Sequence, residues 1–219
     1  MILIVSSCQS QTAKKEYHAL VQDIINTRNE YHANFMNADS TEKDALIKNA
    51  RKYLTDEITN NIFPSWYGTK WDFYGMTRTP QKGKIACGYF VTTILSDIGF
   101  NIPRIKWAKS ASEIFIKKLA LKKDIKRFLN RPISEVEKYL LKAGEGIYLV
   151  GLDNHVGFIS VKDSTMNFIH SNYYHPEIGV MSESITSENP LHDSRYRVIG
   201  KLMSDQMIIN WINNIAYDE

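Results

Sequence analysis

The chain has 219 residues, 43% of them hydrophobic and 23% charged, with a formal net charge of +3. That composition suits one globular domain with a substantial core. It excludes a membrane-spanning helix, because nowhere do about 18 apolar residues run together. The small net charge, without glycine-rich, aromatic or zinc-ligand signatures, argues against nucleic acid as a partner.

Residues 1–11 read as a truncated lipoprotein signal. The apolar run Ile2 to Val5 followed by Ser6, Ser7 and Cys8 resembles the end of a bacterial lipoprotein leader, in which small residues precede the lipidated cysteine. The basic start and the apolar stretch of roughly 7–15 residues that complete such a leader are missing. The alternative is a short buried strand ending at an ordinary cysteine. A lipidated Cys8 implies anchoring to a membrane in the bacterial cell envelope, whereas a start at Met1 favours the cytoplasm. Only Cys8 and Cys87 carry thiols, so a lipidated Cys8 leaves Cys87 free and worth flagging as reactive.

Residues 12–65 read as a helical extension. Leu20, Ile24 and Ile25 recur among charges, as do Ala45, Leu46 and Ala50, and Asp39-Ser40-Thr41 breaks the run with a cap for a second helix. From Ile62 to Gly83 aromatic and turn residues alternate, predicting an ordered loop or irregular strand. Tyr89 to Ile98 places Phe90, Val91, Ile94, Leu95 and Ile98 at helical spacing before Gly99, so Cys87 starts a buried helix. Ile105 to Leu141 reads as helical, with Lys117, Lys118, Lys122, Lys123, Lys126 and Arg127 as a solvated face.

Beyond Gly144 the period becomes that of strands: Ile147–Val150, His155–Val161 and Met166–His170, the last two joined by a turn at Asp163-Ser164. Arg195–Leu202 reads as another strand and Met207–Ile215 as a closing helix. The expected class is α+β, an antiparallel sheet packed on the helix that carries Cys87.

Three residues then invite one chemistry. A helix N-terminus lowers a thiol pKa, because unpaired N–H groups and the macrodipole favour negative charge there; Cys87 occupies that position. His155 opens its strand, where an imidazole can meet a helix N-terminus as general base. His170 ends the next strand, and a hairpin through Asp163-Ser164 sets it beside His155, to orient the base and fix its tautomer. Nucleophile, base and orienter form the set that thiol hydrolysis requires.

The order and context of these residues, ACGYF, NHVGF and NFIH, resemble the NlpC-type family of papain-like cell-wall peptidases. The likeness covers roughly Trp71 to Tyr174 and includes Gly144-Glu145-Gly146 before the apolar strand Ile147–Val150. It implies that residues 66–219 form a papain-like cysteine hydrolase domain, and that the Tyr74 hydroxyl in WDFYG joins the Cys87 backbone N–H in stabilising the oxyanion. It also implies a substrate, amide bonds of peptidoglycan stem peptides or other peptides, with no metal and no organic cofactor. Ala86-Cys87-Gly88-Tyr89 departs from the family's Asp-Cys-Ser-Gly, and the connection to the histidine strand is longer.

Alternatives stand beside this reading. His155, His170, His175 and Asp153 offer zinc donors without the short helical spacing of the common zinc peptidase motif. His175 lines a cleft or sits on an exposed loop, and Trp66 and Trp71 belong to the core or stack on sugars. The same thiol chemistry serves acyltransferases and other amidases, and a catalytically silent envelope-binding module keeps the cleft with an unreactive Cys87.

Overall fold

The computed structural model describes the backbone of residues 3–217 and the side chains of residues 16–217. Helix α1 (Leu3–Asn37) runs without a break at residue 12, and a helix, not a strand, occupies the described backbone at residues 3–5. The Cys8 side chain, and with it the lipidation expectation, lies outside the described residues. Among those residues no helix is long and apolar enough to cross a membrane.

Asp39 caps α2 (Ser40–Glu57) through a capping box: its carboxylate accepts from Glu42 N–H, and the Glu42 carboxylate accepts from Asp39 N–H, each at 2.9 Å. This satisfies two helix-start amides reciprocally. The chain continues in a short helical turn to α3 (Phe63–Trp66), so the aromatic loop begins at Tyr67 rather than at Ile62. Helix α4 (Cys87–Asp97) follows, then α5 (Arg104–Ala108) and α6 (Ser112–Leu119).

The stretch from Ile105 to Leu141 is not continuously helical as expected. Strand β1 (Ile125–Leu129) interrupts it before α7 (Ile133–Ala143). Lys126 and Arg127 stand exposed on β1, which among the described residues pairs with β6 (Tyr196–Lys201) alone, at the edge of the sheet. Charge on an edge strand blocks pairing with another chain, and its polarity imitates a solvated helix face in the sequence.

Strands β2 (Gly146–Leu152), β3 (Val156–Lys162) and β4 (Thr165–Ser171) lie where expected, and β5 (Val180–Ser184) extends the sheet beyond them. The order is β1-β6-β2-β3-β4-β5, every pair antiparallel. Asp163 and Ser164 both adopt positive φ, 47° and 63°, matching a two-residue hairpin turn to the twist of β3 and β4. Helices α8 (Pro190–Asp193) and α9 (Asp205–Ile212) complete the α+β fold.

Period-two alternation divides the sheet into two buried faces. Ile147, Leu149, Val156, Phe158, Ile169 and Val198 join one core with Ile24 of α1, Leu54 of α2, Phe90 and Ile94 of α4 and Trp211 of α9. Tyr148, Val150, Ile159, Phe168 and Ile199 join a second with Val136 and Leu140 of α7. The N-terminal helices therefore share a core with the helix that begins at Cys87.

Candidate functional site

Ala86 is extended, with φ −79° and ψ 158°, and Cys87 is the first residue of α4. The helix forms because Tyr89, Phe90, Val91, Ile94 and Leu95 are all buried; tertiary packing outweighs its β-branched content. Gly88 permits the start to lie where it does, since a Cβ there would stand 2.3 Å from the Ala108 carbonyl oxygen of α5. The segment before Cys87 is fixed from three sides. Ile85 N–H donates to Lys70 O and Ala86 N–H to Gly75 O, each at 2.9 Å, while Ser171 Oγ donates to Ile85 O at 2.7 Å.

The Cys87 side chain is half-buried. Burial pushes its thiol up, against the backbone N–H groups of Val156, Gly88 and Cys87 itself, which draw it down. The sulfur therefore faces both the helix start and the amide that follows His155.

His155 is 4% exposed and His170 fully buried. His155 Nε2 and His170 Nδ1 are 2.8 Å apart, and His170 Nε2 lies 2.7 Å from Glu183 Oε1. His155 Nδ1 is buried without a hydrogen-bond partner. Burial holds both rings neutral: His155 falls well below 6.5, through desolvation and then the neighbouring His170, and desolvation lowers His170 to about 3. Burial also raises Glu183, which the charge of His175 partly offsets. The His170–Glu183 contact is thus a hydrogen bond made by a neutral ring rather than an ion pair with an imidazolium.

The pairing of Phe158 with Ile169 sets His170 opposite Gly157. A Cβ on Gly157 would meet the Phe168 ring at 2.5 Å and His170 Cβ at 2.9 Å, so only glycine leaves room for the two histidines to meet. Phe168 stacks on His170, with centroids 4.1 Å apart, and the Tyr173 ring stands edge-on to His155 at 5.1 Å.

No family model, curated protein or solved structure matches the chain. The geometry of these residues therefore carries the functional argument.

Of the residues expected from sequence, His155 and His170 meet directly, and Cys87 is linked to them through the amide of Val156, the residue after His155. Tyr74 is 82% exposed, its ring edge-on to Phe73, in the loop whose Gly75 carbonyl accepts from Ala86. Its phenol stands in solvent rather than in a closed oxyanion pocket. Trp66 is core, and half-buried Trp71 packs against Tyr173 at 6.1 Å. His175 is exposed.

The zinc alternative does not assemble. The facing nitrogens of His155 and His170 bind each other, and Asp153 accepts from Ser194 Oγ and from the amides of Arg195 and Tyr196. Among the described residues no three His, Cys, Asp or Glu side chains group as metal ligands.

Glu183 and Tyr173 were not anticipated. The alternation of Val180-Met181-Ser182-Glu183 was a signal for an edge strand with Glu183 on the face shared by Met181. Its two hydroxyl- and carboxyl-bearing positions obscured that signal.

Proposed function

We propose that this protein is a cysteine hydrolase that cleaves amide bonds, with Cys87 as nucleophile and His155 as general base, on a papain-like fold of NlpC type. The observation that carries the reading is the buried, unpartnered Nδ1 of His155, beside the residue whose amide faces the Cys87 sulfur. A lone pair kept free in a buried site costs stability, and receiving a thiol proton gives it a use.

In the proposed reaction His155 Nδ1 takes the proton from Sγ as the sulfur attacks the amide carbonyl. The backbone N–H groups at the start of α4 face the oxyanion as it forms. His155 then gives the proton to the leaving amine, and a thioester remains on Cys87. Water attacks it while His155 takes the water proton, which returns to sulfur as the carboxylic acid departs. With a neutral imidazole and a thiol raised by burial, the proton moves during attack rather than resting as an ion pair.

The resemblance of ACGYF, NHVGF and NFIH to the NlpC-type pattern supports peptidoglycan stem peptides as substrate, with the cell envelope as location. The raised thiol also favours a second reading, a silent binding module that keeps the cleft.

Labelling of Cys87 by a small thiol reagent, measured against pH in a Cys8→Ser background, separates the two. The hydrolase reading expects a pH inflection that His155→Ala removes, and release of amine from wall peptides. An ordinary thiol profile in both proteins would sink the nucleophile assignment.

A further inference from the structure

The direction of the hydrogen bonds behind His155 decides whether that ring can act as a base, and it is set at their far end. Glu183 Oε1 receives His170 Nε2 at 2.7 Å and Asn172 Nδ2 at 3.5 Å. The orientation of the Asn172 amide is itself fixed, because its Oδ1 accepts from the backbone N–H of Tyr174 at 2.7 Å and of His175 at 3.4 Å. Its nitrogen is therefore the end presented to Glu183, and a side-chain NH₂ can only donate. Oε1 therefore accepts from Asn172, and as a carboxylate Glu183 can only accept from His170 as well.

With Oε1 as acceptor, His170 Nε2 carries the hydrogen. A neutral imidazole has one N–H, so His170 Nδ1 is a lone pair and takes its hydrogen bond from His155 Nε2–H. His155 Nδ1 is then left bare. The reverse direction needs a proton on Oε1 itself, donated to the Nε2 lone pair of His170, and would put a hydrogen on His155 Nδ1, where no base is left.

We infer that Glu183, oriented by Asn172, is a positioning residue that sets the tautomers of His170 and His155 and keeps His155 Nδ1 free as proton acceptor. The inference rests on the hydrolase reading for its purpose, but not for its geometry. It adds a fourth and fifth member, from β5 and the loop after β4, to the three residues of the proposed site.

The test is long-range proton–nitrogen correlation NMR of the imidazole rings in the full ¹⁵N-labelled chain, for wild type, Glu183→Gln and Glu183→Ala. Wild type is expected to carry hydrogen on Nε2 of both rings with Nδ1 bare. Glu183→Gln is expected to keep that pattern, because the Asn172 NH₂ selects the glutamine oxygen. Glu183→Ala loses the acceptor, so the His155 signals become a mixture of tautomers, and Cys87 labelling at neutral pH slows by roughly tenfold, the range in which outer hydrogen-bond partners act.

Hydrogen on His155 Nδ1 in wild type or in Glu183→Gln overturns the inference. So does a folded Glu183→Ala protein with unchanged tautomers. If Glu183→Ala does not fold, the other two spectra still decide. The expected tautomers with an unreactive Cys87 would support this inference and defeat the hydrolase reading.

Discussion

His155 and His170 are buried as neutral rings, so folding competes with their protonation. In the unfolded chain each takes a proton near the ordinary value of 6.5; in the folded protein both are held far lower. Their contribution to stability is therefore present above pH 6.5 and lost as pH falls toward the folded values, by at most about 1.4 kcal/mol per pH unit for each ring. Glu183 opposes this over a narrower window. Its raised carboxyl contributes below its ordinary 4.5 and loses that contribution as pH rises through the folded value. Urea unfolding between pH 8 and pH 5 is expected to show stability falling with acid, and His170→Asn to reduce that slope by about half. Equal slopes would mean that His170 is not buried neutral. The helix start at Cys87 and the meeting of His155 with His170 were legible because a helix start, a strand start and a two-residue turn are local features. Glu183 was not, because its partner lies across a strand pair that the sequence barely marks.

At the scale of elements, the site depends on how β4 holds the entry to α4. Ser171 ends β4 and donates to the carbonyl of fully buried Ile85, two residues before Cys87. Ser171→Ala leaves that carbonyl without its donor and should cost about 1–3 kcal/mol, read as a lower urea midpoint. Labelling of Cys87 should slow with it, because the thiol is no longer held against the Val156 amide. An unchanged labelling rate in the destabilised variant would show that the two elements are held together by other contacts. The hairpin of β3 and β4 was readable from alternation and from Asp163-Ser164, since side chains and turn obey local rules. Strand β1 was not. Its Lys126 and Arg127 protect an edge, a task that exists only once the strand is paired with β6.

For the whole molecule, one buried polar network ties the N-terminal helices to the helix of the site. Trp66 Nε1 donates to Tyr17 Oη at 2.8 Å, Tyr17 Oη donates to Asp97 Oδ2 at 2.9 Å, and Arg78 reaches Asp97 Oδ1 at 2.8 Å. Asp97 is the last residue of α4, so α1, α3 and the aromatic loop all meet the end of the helix that Cys87 begins. Burial raises the Asp97 carboxyl despite the Arg78 charge, and burial, with Asp97 adding, drives Tyr17 far above the ordinary phenol range. Tyr17→Phe strips the acceptor from Trp66 and a donor from Asp97, and should cost about 2 kcal/mol or more. A clear fall in Tm with an unchanged pH inflection for Cys87 labelling is the expected result. A shifted inflection would mean that α1 bears on the site itself.

Periodicity, capping residues and turn residues, all readable within a few positions, determined the two long N-terminal helices, the helix beginning at Cys87, the β3–β4 hairpin and the closing helix. These follow from backbone sterics and the alternation of side chains, which need no partner. Only the tertiary structure decided that Lys126 and Arg127 lie on a strand, that Tyr74 is exposed, and that Glu183 stands behind His170. Each depends on which strand becomes the neighbour of which, and pairing energy is distributed over residues far apart in the chain.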